Sequence, residues 1–223
     1  MKIQLKNFLL CIVLLILCVL VGCAQKSKEV SKGVKKDDIV HFGSYNDFGE
    51  SRYNNTYKNG DQIEWYVLDN DSKNNKILLL SKYVLYNSRQ MYHQSLDFST
   101  NKYHSWTNSK LREWLNNEFY ETCFNNNEKN KILETPIVDH LDNQVDDKVF
   151  LLSRTEMEQY ITNKKVVETV GRRIDKDRSP ASYWTRQEEK GKYICANSAG
   201  LNDFFEVGWL DYCGVRPAIW VKY

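Results

Sequence analysis

In "QIEWYVLDND" (Gln62–Asp71) apolar and polar positions alternate, with Ile63, Trp65 and Val67 falling on one face. A period of two marks a half-buried strand. "NKILLLSKYVL" is a second β-rich run, and the intervening "DNDSKNN" has turn composition, so the two read as a hairpin. "DIVHFGSY" supplies a short, partly alternating strand before them. The period then changes. "SKLREWLNNEFYETCF" places Leu111, Trp114, Leu115, Phe119 and Cys123 on one helical face, with Asn108 or Ser109 as its N-cap. A shorter helix in "EKNKIL" opens at Asn126 or Asn127 and stops before Pro136. "DKVFLLS" reads as a compact strand running into Ser153 and Glu156, a capping box for the helix "RTEMEQYI". Beyond Thr162 lies loop-rich sequence with strands in "SYWTRQ", "KYICANS" and "GVRPAIWVKY". The pattern predicts an α+β domain: an antiparallel sheet with two to three helices.

The first residues follow a different pattern. Lys2 and Lys6 precede an uncharged apolar run from Phe8 to Val21, 14 residues long. A spanning helix needs about 20 apolar residues, so this run suits the core of a secretory signal. Leu20-Val21-Gly22-Cys23 resembles the lipobox of bacterial lipoproteins. That resemblance implies a signal peptide over residues 1–22, lipid on the Cys23 thiol, and display on the outer face of the cell membrane. A plain signal peptide or an uncleaved anchor is the alternative. Residues 23–36 are polar and lysine-rich, a flexible tether of roughly 20 Å, and 37–223 form one globular domain.

Charge narrows the partners. The chain carries 31 basic and 29 acidic residues, and two of the lysines lie in the signal. The remainder is balanced, so it lacks the basic stripe of a nucleic-acid-binding surface. Cys195 and Cys213 can form a disulfide in an oxidising compartment; buried free thiols are the other reading and the one favoured by residue type. Nothing in the sequence calls for a cofactor or a metal. Asp69 and Asp71 resemble the start of a calcium loop, but Lys73 occupies the next ligand position and the turn glycine is missing.

Five ordered segments resemble a bacterial family known as domain of unknown function 6273. They are Ile63–Leu68, Leu79–Leu85, Trp106–Asn116, Asp147–Arg154 and Gly214–Trp220. The sequence departs from the family pattern after Trp184-Thr185-Arg186, where Gln187-Glu188-Glu189 stands in place of a Ser-Pro-Gly turn. The closing Gly-Val-Arg-Pro also resembles C-type-lectin-like and formylglycine-generating-enzyme-like domains, whose first and last strands pair. The sugar-binding calcium motifs and the oxidase's close cysteine pair are absent, so only an architecture is implied.

Catalytic spacing is hard to find. His41, His93, His104 and His140 form no HxH or HExxH pattern, and no Gly-x-Ser-x-Gly elbow or phosphate loop occurs. The doublets Asp146-Asp147 and Glu188-Glu189 read as solvated surface. Aromatic content, at 13%, points instead to recognition through ring faces. Trp65 and Trp114 sit at core positions, and Trp220 can face either way. Trp106, Trp184 and Trp209 fall at loop or cap positions and are the candidate ligand-binding rings. Arg186 is the candidate clamp, while Arg216 reads as structural, holding a buried carboxylate or loop carbonyls. The expectation is a non-catalytic module for an envelope ligand: a glycan, wall fragment or protein. The alternatives are an extracytoplasmic enzyme assembled around His104 and Arg186, or an assembly partner in a membrane complex.

Overall fold

The computed structural model describes residues 28–46, 48, 58–89, 105–139, 141–167, 182–189, 192–197, 204–207 and 213–223. The first sheet follows the alternating segments. β1 (Ile39–Ser44), β2 (Gln62–Asp71), β3 (Lys76–Ser81) and β11 (Ala218–Lys222) pair antiparallel in the order β1-β2-β3-β11. Ile63, Trp65 and Val67 are buried, as the period of two requires. The β2–β3 turn is closed by Asp71, whose carboxylate accepts from the Asn74 amide group at 2.6 Å, with Asn75 at φ 52°. The first and last strands lie on opposite edges of this sheet and do not pair with each other.

The second sheet has the order β4-β10-β7-β8-β9: Tyr86–Arg89, Cys213–Val215, Tyr183–Glu189, Lys192–Ala196 and Phe204–Val207. β10 and β7 run parallel; the other pairs are antiparallel. Gln187-Glu188-Glu189 does not end β7. The strand continues through these residues, and Glu189 pairs with Lys192. β4 and β9 were not visible as strands in the sequence. Nor was the hairpin of β5 (Thr135–Val138) with β6 (Gln144–Asp147). The "VFLL" run is buried throughout, but only Phe150 bridges, exchanging both backbone hydrogen bonds with Ala218.

Two pairs of strands cross from one sheet to the other at the same corner. β3 leads into β4 and β10 into β11, and the Ser81 amide donates to Pro217 O while the Leu85 amide donates to Val215 O. Gly214 is needed there: a Cβ would stand 2.4 Å from Val84 Cγ1 and 3.0 Å from Ser182 O.

Helix α1 runs as Lys110–Trp114, a π-helical stretch Leu115–Phe119, and Tyr120–Cys123. Ser109 caps it by accepting from the Arg112 amide, and Leu111, Leu115, Phe119 and Cys123 are buried on the expected face. Phe124, just beyond, packs on Phe42 and Trp65 of the first sheet. The opposite face of that sheet meets α4 (Lys164–Val167), where the Tyr66 hydroxyl donates to Lys165 O, while α3 (Arg154–Tyr160) packs on β7, with Glu156 bonded to Arg186. The capping box of α3 forms as Ser153 and Glu156 predict. α2 (Asn126–Lys129) opens at Asn126, with Asn125 as cap and Glu128 closing the box.

The tether boundary moves. Lys28 bridges Val40 in parallel, Val34 is buried, and the Asn70 side chain donates to Lys32 O and Val34 O. Residues from Lys28 onward are therefore packed on the domain, because Val34 contributes an apolar side chain that a free tether would leave in water.

Candidate functional site

Two of the three tryptophans expected at a binding surface, Trp106 and Trp184, are core residues. Trp106 is 1% exposed and donates its indole N–H to Asp147 Oδ2 at 2.7 Å. Trp184 is also 1% exposed and stacks edge-on against Tyr193, with centroids 6.0 Å apart. Large rings at loop positions bury more apolar area than any other side chain, and a single polar partner satisfies the indole. Trp209 lies outside the described residues, as do Cys23, His93, His104 and His140. Arg186 is spent within the fold: its guanidinium forms a bidentate pair with Glu156 and donates to Leu151 O at 2.6 Å. It therefore cannot serve as a ligand clamp. The constellation of His104 with Arg186 falls outside the described residues, because His104 does.

The structural assignments fare differently. Trp65 is fully buried and donates to Phe42 O at 2.6 Å. Trp114 is half-buried, with Phe48 edge-on at 5.3 Å. Trp220 is half-buried beneath Lys76, whose ammonium lies 4.4 Å from the ring centroid. Cys195 and Cys213 are joined as a disulfide linking β8 to β10, not held as free thiols; Cys123 is a buried thiol.

Two polar networks are buried, of which the sequence showed only the structural role of Arg216. In the first, Asp147 is fully buried and receives Trp106 Nε1 and Arg112, the latter at 2.8 Å. The Asn116 side chain closes the same seam, accepting from the Lys148 and Val149 amides and donating to Val149 O. Asp146 stays exposed while Asp147 turns inward, so the doublet does point apart, but only half of it is solvated. In the second, Arg216 is 1% exposed and sits at the corner where the sheets cross. It donates to Ser81 O at 2.8 Å, Val166 O at 2.6 Å, Lys82 O at 3.5 Å and the Tyr183 hydroxyl at 3.2 Å. Among the described residues no carboxylate pairs with it.

Above this corner lies a half-exposed polar surface. The alternation that buries Trp65 turns Glu64 and Tyr66 to the opposite face of β2, and Lys82 and Tyr83 follow β3 beside them. Lys82 bonds Glu64 at 3.0 and 3.1 Å and lies 4.9 Å from the Tyr83 ring centroid. Burial pulls the Lys82 ammonium down, but its contacts with Tyr83 and Glu64 outweigh that effect and raise its pKa above the usual lysine value. Burial pushes the Tyr66 hydroxyl up, so it stays protonated at neutral pH. The surface offers two half-buried rings and one charge pair, which suits polar recognition.

A family model described as Domain of unknown function (DUF6273) matches residues 74–223. The chain belongs to this family. No curated protein matches the chain, and no solved structure does. The family segments prove to be paired in space. Trp106–Asn116 is bonded to Asp147–Arg154 through Asp147 and Asn116, and Leu79–Leu85 to Gly214–Trp220 through Arg216. Their polar groups are spent on one another, so these segments build the domain. Within the matched range, Lys82 and Tyr83 are among the members that keep part of their surface in solvent.

Proposed function

We propose that the chain is a lipoprotein anchored through Cys23 on the outer face of the cell membrane, and that its domain is a non-catalytic recognition module for a wall glycan or wall fragment. The observation that carries the recognition reading is the half-exposed pair Tyr66 and Tyr83 flanking the Lys82–Glu64 ion pair. Flat rings pack on the apolar faces of sugars, while phenol and ammonium groups bond their hydroxyls. The lipobox-like tetrad and the short apolar run support export, and a disulfide suits an oxidising compartment. Among the described residues no helix is long and apolar enough to cross a membrane.

The test is co-sedimentation of the full chain with insoluble wall sacculi, comparing wild type with the double variant Tyr66→Ala, Tyr83→Ala. Loss of two ring contacts should weaken binding at least tenfold. Circular dichroism melting of each variant shows whether the domain stays folded. Equal sedimentation of wild type and a folded double variant would remove this surface. Absence of wild-type binding to sacculi or oligosaccharides would remove the ligand class.

A further inference from the structure

The tether correction brings two lysine-rich segments together. Asp37 follows Lys35 and Lys36 and accepts a hydrogen bond at 3.0 Å from Asn163, which immediately precedes Lys164 and Lys165 at the start of α4. The Asp37 amide donates to Val67 O, and neighbouring Tyr66 donates its hydroxyl to Lys165 O. The N-terminal segment and α4 are thus held side by side on β2. Lys32, Lys35, Lys36, Lys164 and Lys165 are all exposed there. Within the two segments Asp38 is taken by Lys28 at 2.7 Å, leaving Glu29 and the bonded Asp37 beside the five lysines; on the adjoining strand Asp69 and Asp71 flank Asn70, and Asp71 lies 4.0 Å from Lys76. On a chain whose charge is balanced beyond its first residues, this is a local excess built by the fold.

Its position along the chain matters as much as its charge. Lys28, the first described residue and bridged to Val40, is five residues from Cys23. Five residues reach at most about 17 Å even fully extended. A lipid on Cys23 would therefore hold this end of the domain near the headgroups, where the Debye length is about 8 Å. We infer that the face formed by Lys32, Lys35, Lys36, Lys164 and Lys165 docks on anionic phospholipid headgroups and orients the domain on its membrane. The inference rests on the lipoprotein reading. Each lysine close to an anionic surface adds about fivefold to partitioning, so the face supplies orientation while the lipid supplies attachment.

The experiment uses the full chain, produced and processed in a bacterial host. It is reconstituted on phosphatidylcholine vesicles with or without one-third phosphatidylglycerol. Exposed lysines are acylated and read by mass spectrometry. On the anionic vesicles the five lysines should be labelled at least fivefold more slowly than on neutral ones, and 0.5 M salt should erase the difference. The exposed lysines Lys192 and Lys222 should be unchanged. Equal labelling on both vesicles overturns the docking face even where the chain is retained. The Cys23→Ser chain tests the anchor separately. If it is retained as well as wild type, the lipid reading fails, and its own footprint still decides the face. A chain with all five lysines changed to Gln should keep its attachment and lose the salt-sensitive protection of neighbouring sites.

Discussion

Arg112 and Arg216 are both guanidinium groups drawn into the fold, and they are neutralised in opposite ways. Arg112 reaches a fully buried carboxylate, Asp147, and keeps 22% of its own side chain in solvent. Arg216 is 1% exposed and meets three backbone carbonyls and a phenol, with its guanidinium 5.2 Å from the Tyr183 ring centroid. The contrast follows from what each must hold. At Asp147 a side-chain acid has been buried, and a buried acid needs a cation and hydrogen bonds to remain charged. At Arg216 the buried acceptors are carbonyls at the corner where both strand pairs change sheets, and Pro217 offers no N–H of its own. Only a rigid five-donor fork can serve several diverging carbonyls at once. One region uses a charge pair to close a helix on a hairpin; the other uses a cation to replace missing ladder bonds.

That contrast can be broken most directly at Asp147. Asp147→Ala leaves the Trp106 indole without its acceptor and Arg112 without its counter-ion, and should cost about 3–5 kcal/mol. In a domain this size each kcal/mol moves Tm by about 2–4 °C. Asp147→Asn combined with Arg112→Leu should recover much of that loss, because an amide oxygen can still receive Trp106 and no charge is stranded. Equal melting of the single and double variants would mean the charge pair is not what the network depends on.

The Arg216 corner has a second fastener. Cys213 opens β10 three residues before Arg216, and its disulfide partner Cys195 faces Trp184, next to Tyr183. Reducing the bridge, or replacing both cysteines with Ala, should cost about 3 kcal/mol for a closed loop of 18 residues. Wild type melted with and without a reductant reads this directly. Arg216→Lys should cost less, about 2 kcal/mol, since an ammonium keeps the charge but cannot span the carbonyls. If Arg216→Lys melts like wild type, charge alone suffices at the corner and the fork argument fails.

The two networks also mark where sequence stops being legible. Ile63, Trp65 and Val67 reveal their strand because the period of two is a local property. Ser153 and Glu156 reveal a helix start for the same reason, and both family segment sets were recognisable. Trp106 and Trp184 were misread because an aromatic at a loop position looks available; only the fold supplies the Asp147 or Tyr193 that covers it. Asp147 was hidden in an acidic doublet, where alternation says that one member turns inward but not what waits for it. The four-residue strands β4, β5, β6 and β9 are too short to show a period, and Pro136 inside β5 argued against one. Glu64, Tyr66, Lys82 and Tyr83 were individually visible. Their meeting required the β2–β3 register that pairs Tyr66 with Leu80 and Trp65 with Ser81.

The gentlest probe of the first network is Asp139, which ties the β5–β6 turn to the segment carrying Trp106. Its carboxylate accepts from Thr107 Oγ1 at 2.7 Å and from the Leu141 and Asn143 amides at 2.9 and 3.1 Å. Burial alone would raise its pKa, but these bonds and one from Ser105 outweigh that and hold it at about 2. A carboxyl depressed in the folded state stabilises the fold fully above its unfolded value near 4. That contribution is lost as pH falls from about 4 towards 2. Because the group is only half-buried and solvent screens it, its worth at neutral pH is about 1 kcal/mol. Asp139→Asn should therefore melt a few degrees below wild type at pH 7, with the gap closing between pH 4 and pH 2. Amide exchange in the hairpin should follow the same curve. A gap that persists unchanged at pH 2 would mean that the turn depends on the shape of Asp139 and not on its charge. The link from the β5–β6 turn to the Asp147 network would then be steric, unlike the charge pair at its centre.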